Sequence, residues 1–327
     1  MTEALTRDRK PKNVAATVGR QADRARARGI ASALLSTVFF ATAPIFGKLA
    51  YRSQVSPYTL VALRTGLAAA ALWCFYLCFW RKAIRISWPN LVGCVGMGLA
   101  NGIGSLFYYT GLTRIDASLA QLLYTLYPLW VFVLLSAAGH HVSRTSFLCL
   151  LLALTGVLVL TGPGKQQVDA LGVLLLVSSG ACYGWYLVLG QWTLADVDSR
   201  TAALYYVTTM AVVVIVARLV NGAPWVPIST DGWLAILGLT LLPTILARLL
   251  VLTGLQKLGG LHTSLLGLAE LLVALLIAFL VLGERLTVWQ WLGGTLVVIG
   301  VLLGSRESHP QTTLEDLLRD GRWRELN

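Results

Sequence analysis

Residues 261–288 read LHTSLLGLAELLVALLIAFLVLGERLTV. From Leu261 to Leu282 the run is nearly apolar and holds one acidic residue, Glu270. At a rise of 1.5 Å per residue, a helix over this run crosses a hydrocarbon core of about 30 Å. Glu270 then falls near mid-membrane, where an ionised carboxylate is costly unless it pairs, takes a proton or meets water. Every other Asp and Glu falls in a tail, in a loop or at the end of a predicted span. An isolated intramembrane carboxylate reads first as a functional group. The alternative is a packing glutamate, hydrogen-bonded to a neighbouring helix.

Composition carries the same reading to the whole chain. The 327 residues are 56% hydrophobic and only 13% charged, with a mean hydropathy of +0.71. Soluble domains carry about 25% charged residues. The apolar runs lack the alternation of barrel strands, so the fold class is an all-α membrane protein. Ten transmembrane helices are predicted, at 30–50, 58–80, 89–110, 117–137, 145–162, 171–192, 201–220, 233–255, 261–282 and 288–304. Turn residues separate them: Ser56-Pro57, Trp88-Pro89, Gly162-Pro163-Gly164, Gly222-Ala223-Pro224 and Gly259-Gly260.

The net charge of +11 does not point to nucleic acid, because eight of the 26 Lys and Arg precede Gly29 and most others flank spans. With the basic tail inside, 18 fall on its side of the membrane and six on the other. That asymmetry places both termini in the cytoplasm of a multi-pass plasma-membrane protein. Residues 1–29 read as a basic cytoplasmic tail, disordered or lying on the membrane surface, without the pattern of a signal peptide. Residues 305–327 read as a second cytoplasmic tail, where Thr312 and Glu315 have capping-box spacing. The five cysteines lie inside predicted spans and show neither metal-ligand spacing nor a disulfide framework.

The two halves of the chain resemble each other. YYTGLTRIDASLAQLLYTLYPLW (108–130) aligns with VLTGLQKLGGLHTSLLGLAELLV (251–273), and TGVLVL (155–160) with IGVLLG (299–304). Each unit, 30–162 and 171–304, holds five predicted spans. Five is odd, so the second unit enters the membrane from the opposite side, giving two inverted five-helix repeats. Inverted repeats recur in secondary transporters, which bind substrate near the midplane between them.

This pattern resembles the EamA family of the drug/metabolite transporter superfamily. The carrying residues are LGERLTVWQWLGGTLVVIGVLL (282–303) and, less clearly, SAAGHHVSRTSFLCLLLALTGVLVL (136–160). The resemblance covers about residues 30–304 and implies ten helices and metabolite transport. Two departures stand out. Relatives commonly follow the glutamate of span nine with proline, whereas Leu271 follows Glu270 here; and Gly139-His140-His141 stands where GER is expected in the first unit.

Helical projection gives the candidate lining of a substrate site. Glu270 shares a face with Thr263, Gly267 and Ala274. Span four offers Gln121, Tyr124, Thr125 and Pro128; span six Ser179, Tyr183 and Tyr186, with Trp185 nearby. Span three adds Asn101, Ser105 and Tyr108, and span eight Thr244 and Arg248. The expected substrate-binding set is Glu270, Arg248, Tyr124, Gln121, Asn101, Trp185, Tyr186, Tyr183 and Tyr108, with no catalytic residue, metal ligand or cofactor. For each tyrosine alone, packing or an interfacial belt is an equal reading. Arg248 and Glu270 fall at similar depth on consecutive spans, so an ion pair between them is expected. Arg64, about seven residues into span two, reads as snorkelling to the headgroups, and His262 as a solvated histidine. Gly98 and Gly102 have the spacing of a close helix contact.

The function expected is secondary transport of a small organic metabolite, such as an amino acid or related compound. Alternating access is the mechanism, export the expected direction and protons the candidate coupling ion. The partners are then that small molecule and the lipid bilayer. A GxxxxGK[ST] motif is absent, so ATP hydrolysis is not expected. The alternatives are a carrier of a lipid-linked intermediate and an intramembrane transferase. The transferase lacks the paired carboxylates or nucleophile–base set its chemistry needs.

Overall fold

The helices start where short polar residues cap them. The Ser56 hydroxyl, ahead of Pro57, accepts from the Thr59 amide at 3.3 Å. Asp169 accepts from the amides of Leu171 and Gly172 at 2.9 and 3.2 Å. Asp198 and Ser229 cap two further helices in the same way. The computed structural model describes residues 9–115, 117–139, 144–161, 169–222 and 227–282, with a few positions between 289 and 303.

Among the described residues all regular elements are helical. In chain order they begin with α1 (Arg9–Phe40), α2 (Ala43–Arg52), α3 (Pro57–Phe79), α4 (Trp88–Arg114), α5 (Ala117–Tyr124), α6 (Tyr127–Ala137) and α7 (Arg144–Thr161). Then come α8 (Ala170–Thr193), α9 (Ser199–Asn221), α10 (Thr230–Leu239), a π-helical segment (Thr240–Leu246), α11 (Ala247–Gly267) and α12 (Ala269–Leu282). Among the described residues six stretches are long and apolar enough to cross a membrane: Asp23–Arg52, Pro57–Phe79, Trp88–Arg114, Ala170–Thr193, Ser199–Asn221 and Thr230–Gly267. The chain is a multi-pass helical membrane protein. The tenth expected span, the GERLT turn at 283–287, the 163–168 loop, residues 1–8 and the Thr312–Glu315 box lie outside the described residues, apart from those few positions.

The basic tail differs from its expected form. Residues 9–29 are not irregular but continue as helix into the first span. Their Ala-, Arg- and Lys-rich sequence favours helix, and its prolines are confined to the start at Pro11. Spans four and nine also differ, since each is broken rather than continuous. The first break falls at Thr125-Leu126, between α5 and α6, and the second at Leu268, between α11 and α12. Both are bridged by tight bonds from residue i to i−3. Leu126 and Leu129 donate to Leu123 and Leu126, and Leu268 and Leu271 donate to Leu265 and Leu268. Pro128 accounts for the first break by lacking an amide proton. The second forms with leucine at the equivalent position. A further kink at Gly259, at φ 77° and ψ 172°, turns the chain between spans eight and nine.

Packing is set by small residues. Helix α4 lies against α8 and α9, α1 against α11, and α3 against α9. At Gly98 an added Cβ would stand 2.5 Å from the Thr209 side chain and 2.7 Å from the Tyr206 carbonyl oxygen. No larger residue fits there without moving α4 from α9. The close contact expected at Gly98 and Gly102 is therefore with α9, where Gly102 meets Val213.

Candidate functional site

Where α1, α2, α3, α4, α5, α8, the π-helical segment, α11 and α12 converge, the helices leave a small cavity of about 60 Å³. Glu270 reaches it from the first turn of α12, just after the break at Leu268. The positive end of that helix lies beside its carboxylate. Gln121 donates from Nε2 to Glu270 Oε1 at 2.8 Å and accepts from the Tyr108 hydroxyl at 3.1 Å. A carboxylate, an amide and a phenol from three helices thus form one hydrogen-bonded chain at the cavity wall.

Two arginines line the same cavity. Arg64 is 3% exposed, donates to Thr244 Oγ1 at 3.0 Å and to Ser105, and stacks over the Tyr109 ring at 4.6 Å. The snorkelling expected of Arg64 is therefore wrong: its guanidinium turns inward, toward hydroxyl partners on α4 and the π-helical segment. Arg248 is 6% exposed and donates to the Tyr206 hydroxyl at 3.1 Å. The π-helical segment around Pro243 sets both. Thr244, which accepts from Arg64, donates back to the Leu239 carbonyl five residues earlier, and Arg248 follows one turn on. π-Helical insertions of this kind are frequent at functional sites.

The ion pair expected between Arg248 and Glu270 is not formed. Among the described residues each finds a neutral partner instead, Tyr206 for Arg248 and Gln121 for Glu270. Equal depth placed them in one layer, but the cavity lies between them.

A row of tyrosines runs along the wall. Ring centroids step from Tyr109 to Tyr108 (5.1 Å), Tyr124 (5.1 Å), Tyr183 (5.5 Å), Tyr186 (5.4 Å) and Tyr206 (5.3 Å). Arg64 lies over the Tyr109 ring and Arg248 over that of Tyr206. Of the expected residues, Glu270, Arg248, Tyr124, Gln121, Asn101, Tyr183 and Tyr108 line the cavity. Tyr186 stands one ring behind, fully buried. Trp185 does not belong: it is 43% exposed, on the outer face of α8. One residue of helical rotation, about 100°, separates it from Tyr186. His262 is buried rather than solvated. Arg64, Tyr109 and Tyr206 were missed. A depth of seven residues was the available signal for Arg64, and the Tyr205-Tyr206 pair that for Tyr206.

A second, smaller cavity of about 10 Å³ adjoins the first and shares three lining residues with it, Phe40, Tyr183 and Glu270. Lining residues pass from one cavity to the other along the helices: Thr37 on α1 to Ala43 at the start of α2, Leu187 to Ser179 on α8, Gly267 to Glu270 across the α11–α12 break. Tyr127 closes the second chamber by donating to the Ser264 carbonyl at 3.3 Å, above Gly267, where any side chain would overlap the phenol. No cluster of His, Cys, Asp or Glu suited to a metal ion occurs among the described residues.

The chain is similar to several known proteins. An uncharacterized transporter of Bacillus subtilis (strain 168), YcbK, is 24% identical over 288 residues, covering 83% of this chain and 90% of that protein. A second from the same organism, YyaM, is 26% identical over 263 residues, covering 76% and 85%. A solved crystal structure superposes with a TM-score of 0.68 at 20% identity, over 85% of this chain and 96% of its own, a likeness of fold alone. The profile of the EamA-like transporter family matches twice, at residues 27–162 and 170–306. The chain belongs to the EamA-like transporter family.

Proposed function

We propose that the protein is a secondary transporter that exports a small organic metabolite, such as an amino acid or related compound, by alternating access. The observation that carries this is the cavity on which a buried carboxylate, two arginines and several tyrosines from both halves of the chain converge. Breaks in spans four and nine, at positions matched by the internal repeat, supply segments able to move independently. Glu270 is the group offered to a coupling proton, and no chemical step on the substrate is assigned to this chain. Glu270, Arg248, Tyr124, Gln121, Asn101, Tyr183 and Tyr108 are proposed to contact substrate, joined by Arg64.

The proposed architecture is ten helices in two inverted repeats, 30–162 and 171–304, between tails 1–29 and 305–327, with both ends in the cytoplasm. The helix contacts support it. Pairing span one with six, two with seven and three with eight exchanges the α4–α8 contact for that of α11 with α1, and returns α3–α9 to itself. The test of topology is a cysteine at Gln167: an impermeant thiol reagent applied to intact cells labels it, whereas labelling only after permeabilisation would sink the inverted ten-span arrangement. The test of function is flux of a metabolite panel in proteoliposomes, with and without a pH gradient. Tyr124→Ala should lose at least about tenfold in rate at normal expression, in keeping with the loss of contacts that position substrate. Wild-type flux in that variant places the substrate elsewhere.

A further inference from the structure

The charges lining the cavity do not balance. Arg64 and Arg248 are both buried there, and among the described residues Glu270 is the one acidic residue that lines it. Even with Glu270 ionised, one positive charge is left over. Neither arginine is tied to a carboxylate among the described residues. The partners of Arg64 are the hydroxyls of Thr244 and Ser105 and the ring of Tyr109; those of Arg248 are the hydroxyl and ring of Tyr206. Burying a guanidinium with neutral partners alone is unfavourable, because hydroxyls replace only part of its hydration. Three donors on these walls have no hydrogen-bond partner: Arg64 Nε, Arg248 Nε and Asn101 Nδ2. The two guanidinium groups lie close enough for their charges to oppose one another. Glu270 takes its hydrogen bond from Gln121 instead of from either arginine.

From this geometry we infer that the cavity recognises an organic anion, whose carboxylate is held by Arg64 and Arg248 and whose apolar body lies on the tyrosine row. This rests on the transport reading of the same site and names its substrate class. One anionic group brings the cavity to neutrality. The planar fork of a guanidinium matches a carboxylate in shape and charge. Asn101 adds a neutral donor to the same oxygens. The rings of Tyr108, Tyr124 and Tyr183 offer a flat apolar wall beside these donors, the mix of anchor and surface typical of small-molecule sites. A cationic ligand of the same shape would face two like charges, and a neutral one would leave the excess charge uncompensated.

The test uses three probes with the same ring and chain and different end groups: 3-phenylpropionate, 3-phenylpropylamine and 3-phenylpropanol. Binding to the purified full-length protein in lipid nanodiscs is read from the shift of the thermal unfolding midpoint with ligand concentration. The carboxylate should raise the midpoint, with an apparent affinity at least tenfold above those of amine and alcohol. Arg64→Gln and Arg248→Gln should each weaken the carboxylate at least tenfold. Should a glutamine variant fail to fold, Arg64→Lys and Arg248→Lys keep the charge, and should weaken binding while preserving the anion preference. Absence of 3-phenylpropionate binding, binding of the amine as tight as that of the carboxylate, or unchanged affinity in the arginine variants overturns the inference. Flux in proteoliposomes is measured separately. Anion binding without flux counts against transport alone, and flux of the amine in place of the carboxylate counts against the anion alone.

Discussion

Gln121 fixes the surroundings of Glu270 by donating to its carboxylate while accepting from Tyr108. Gln121→Ala should therefore lower stability by about 1–3 kcal/mol, the typical cost of a buried acceptor left without a donor. Much of that loss should return when Glu270→Gln is added, because the orphaned group is then neutral. Unfolding midpoints of the two singles and the double give the coupling, expected at about 0.5–3 kcal/mol. The corresponding cycle for Arg248 and Glu270 should be closer to additive, since no hydrogen bond joins them. Strong coupling in that second cycle would favour the ion pair expected from depth. These residues show how far a linear sequence reaches. Rarity in an apolar run exposed Glu270, and a 3.6-residue period brought Gln121 and Tyr124 to one face. Depth along a helix, however, does not give rotation about it. Arg64 was read outward and Trp185 inward for that reason, and the partner of Arg248 was sought on the adjacent span rather than on α9.

The helices were legible as apolar runs, and their breaks less so. A proline marks the break in span four, whereas the break at Leu268 carries no residue signature beyond its alignment with Thr125. The π-helical segment was invisible as well, because Pro243 alone does not distinguish a kink from an inserted residue. Small residues make the seams. Gly98→Leu should cost about 1–3 kcal/mol or more, the range for overpacking a tight contact. It should also displace Tyr206, whose carbonyl oxygen faces Gly98, and with it the partner of Arg248. Gly96→Ala is the control. Its Cβ would approach nothing closer than 3.4 Å, so stability should hold or rise slightly with the gain in helix propensity. Unfolding midpoints of the two variants in nanodiscs decide, and equal stability would remove the Gly98 seam from the account.

Across the whole molecule, contacts exchanged between the two halves locate the cavity at their junction, and sequence repetition alone was enough to expect one there. Its content was not readable at that scale, because charge balance depends on which side chains meet across repeats. One link between the halves lies outside the hydrocarbon. Arg114, at the end of α4, donates to Asp169, the cap of α8, at 2.9 Å. That hydrogen bond, with those from Gly172 and Leu171, holds the Asp169 carboxyl below its ordinary 3.8. A depressed carboxyl contributes stability above its unfolded pKa and loses it as pH falls through the folded value. Wild type and Asp169→Asn should therefore differ in unfolding midpoint near neutral pH and converge below about pH 4, where the aspartate protonates. A difference that persists into acid would mean that the cap acts without its charge. Phe40 lines both cavities with an apolar ring. Phe40→Ala should merge them into one larger space, so that a bulkier cargo is accepted; flux of longer homologues of a transported molecule in proteoliposomes reads this, and an unchanged size limit counts against it.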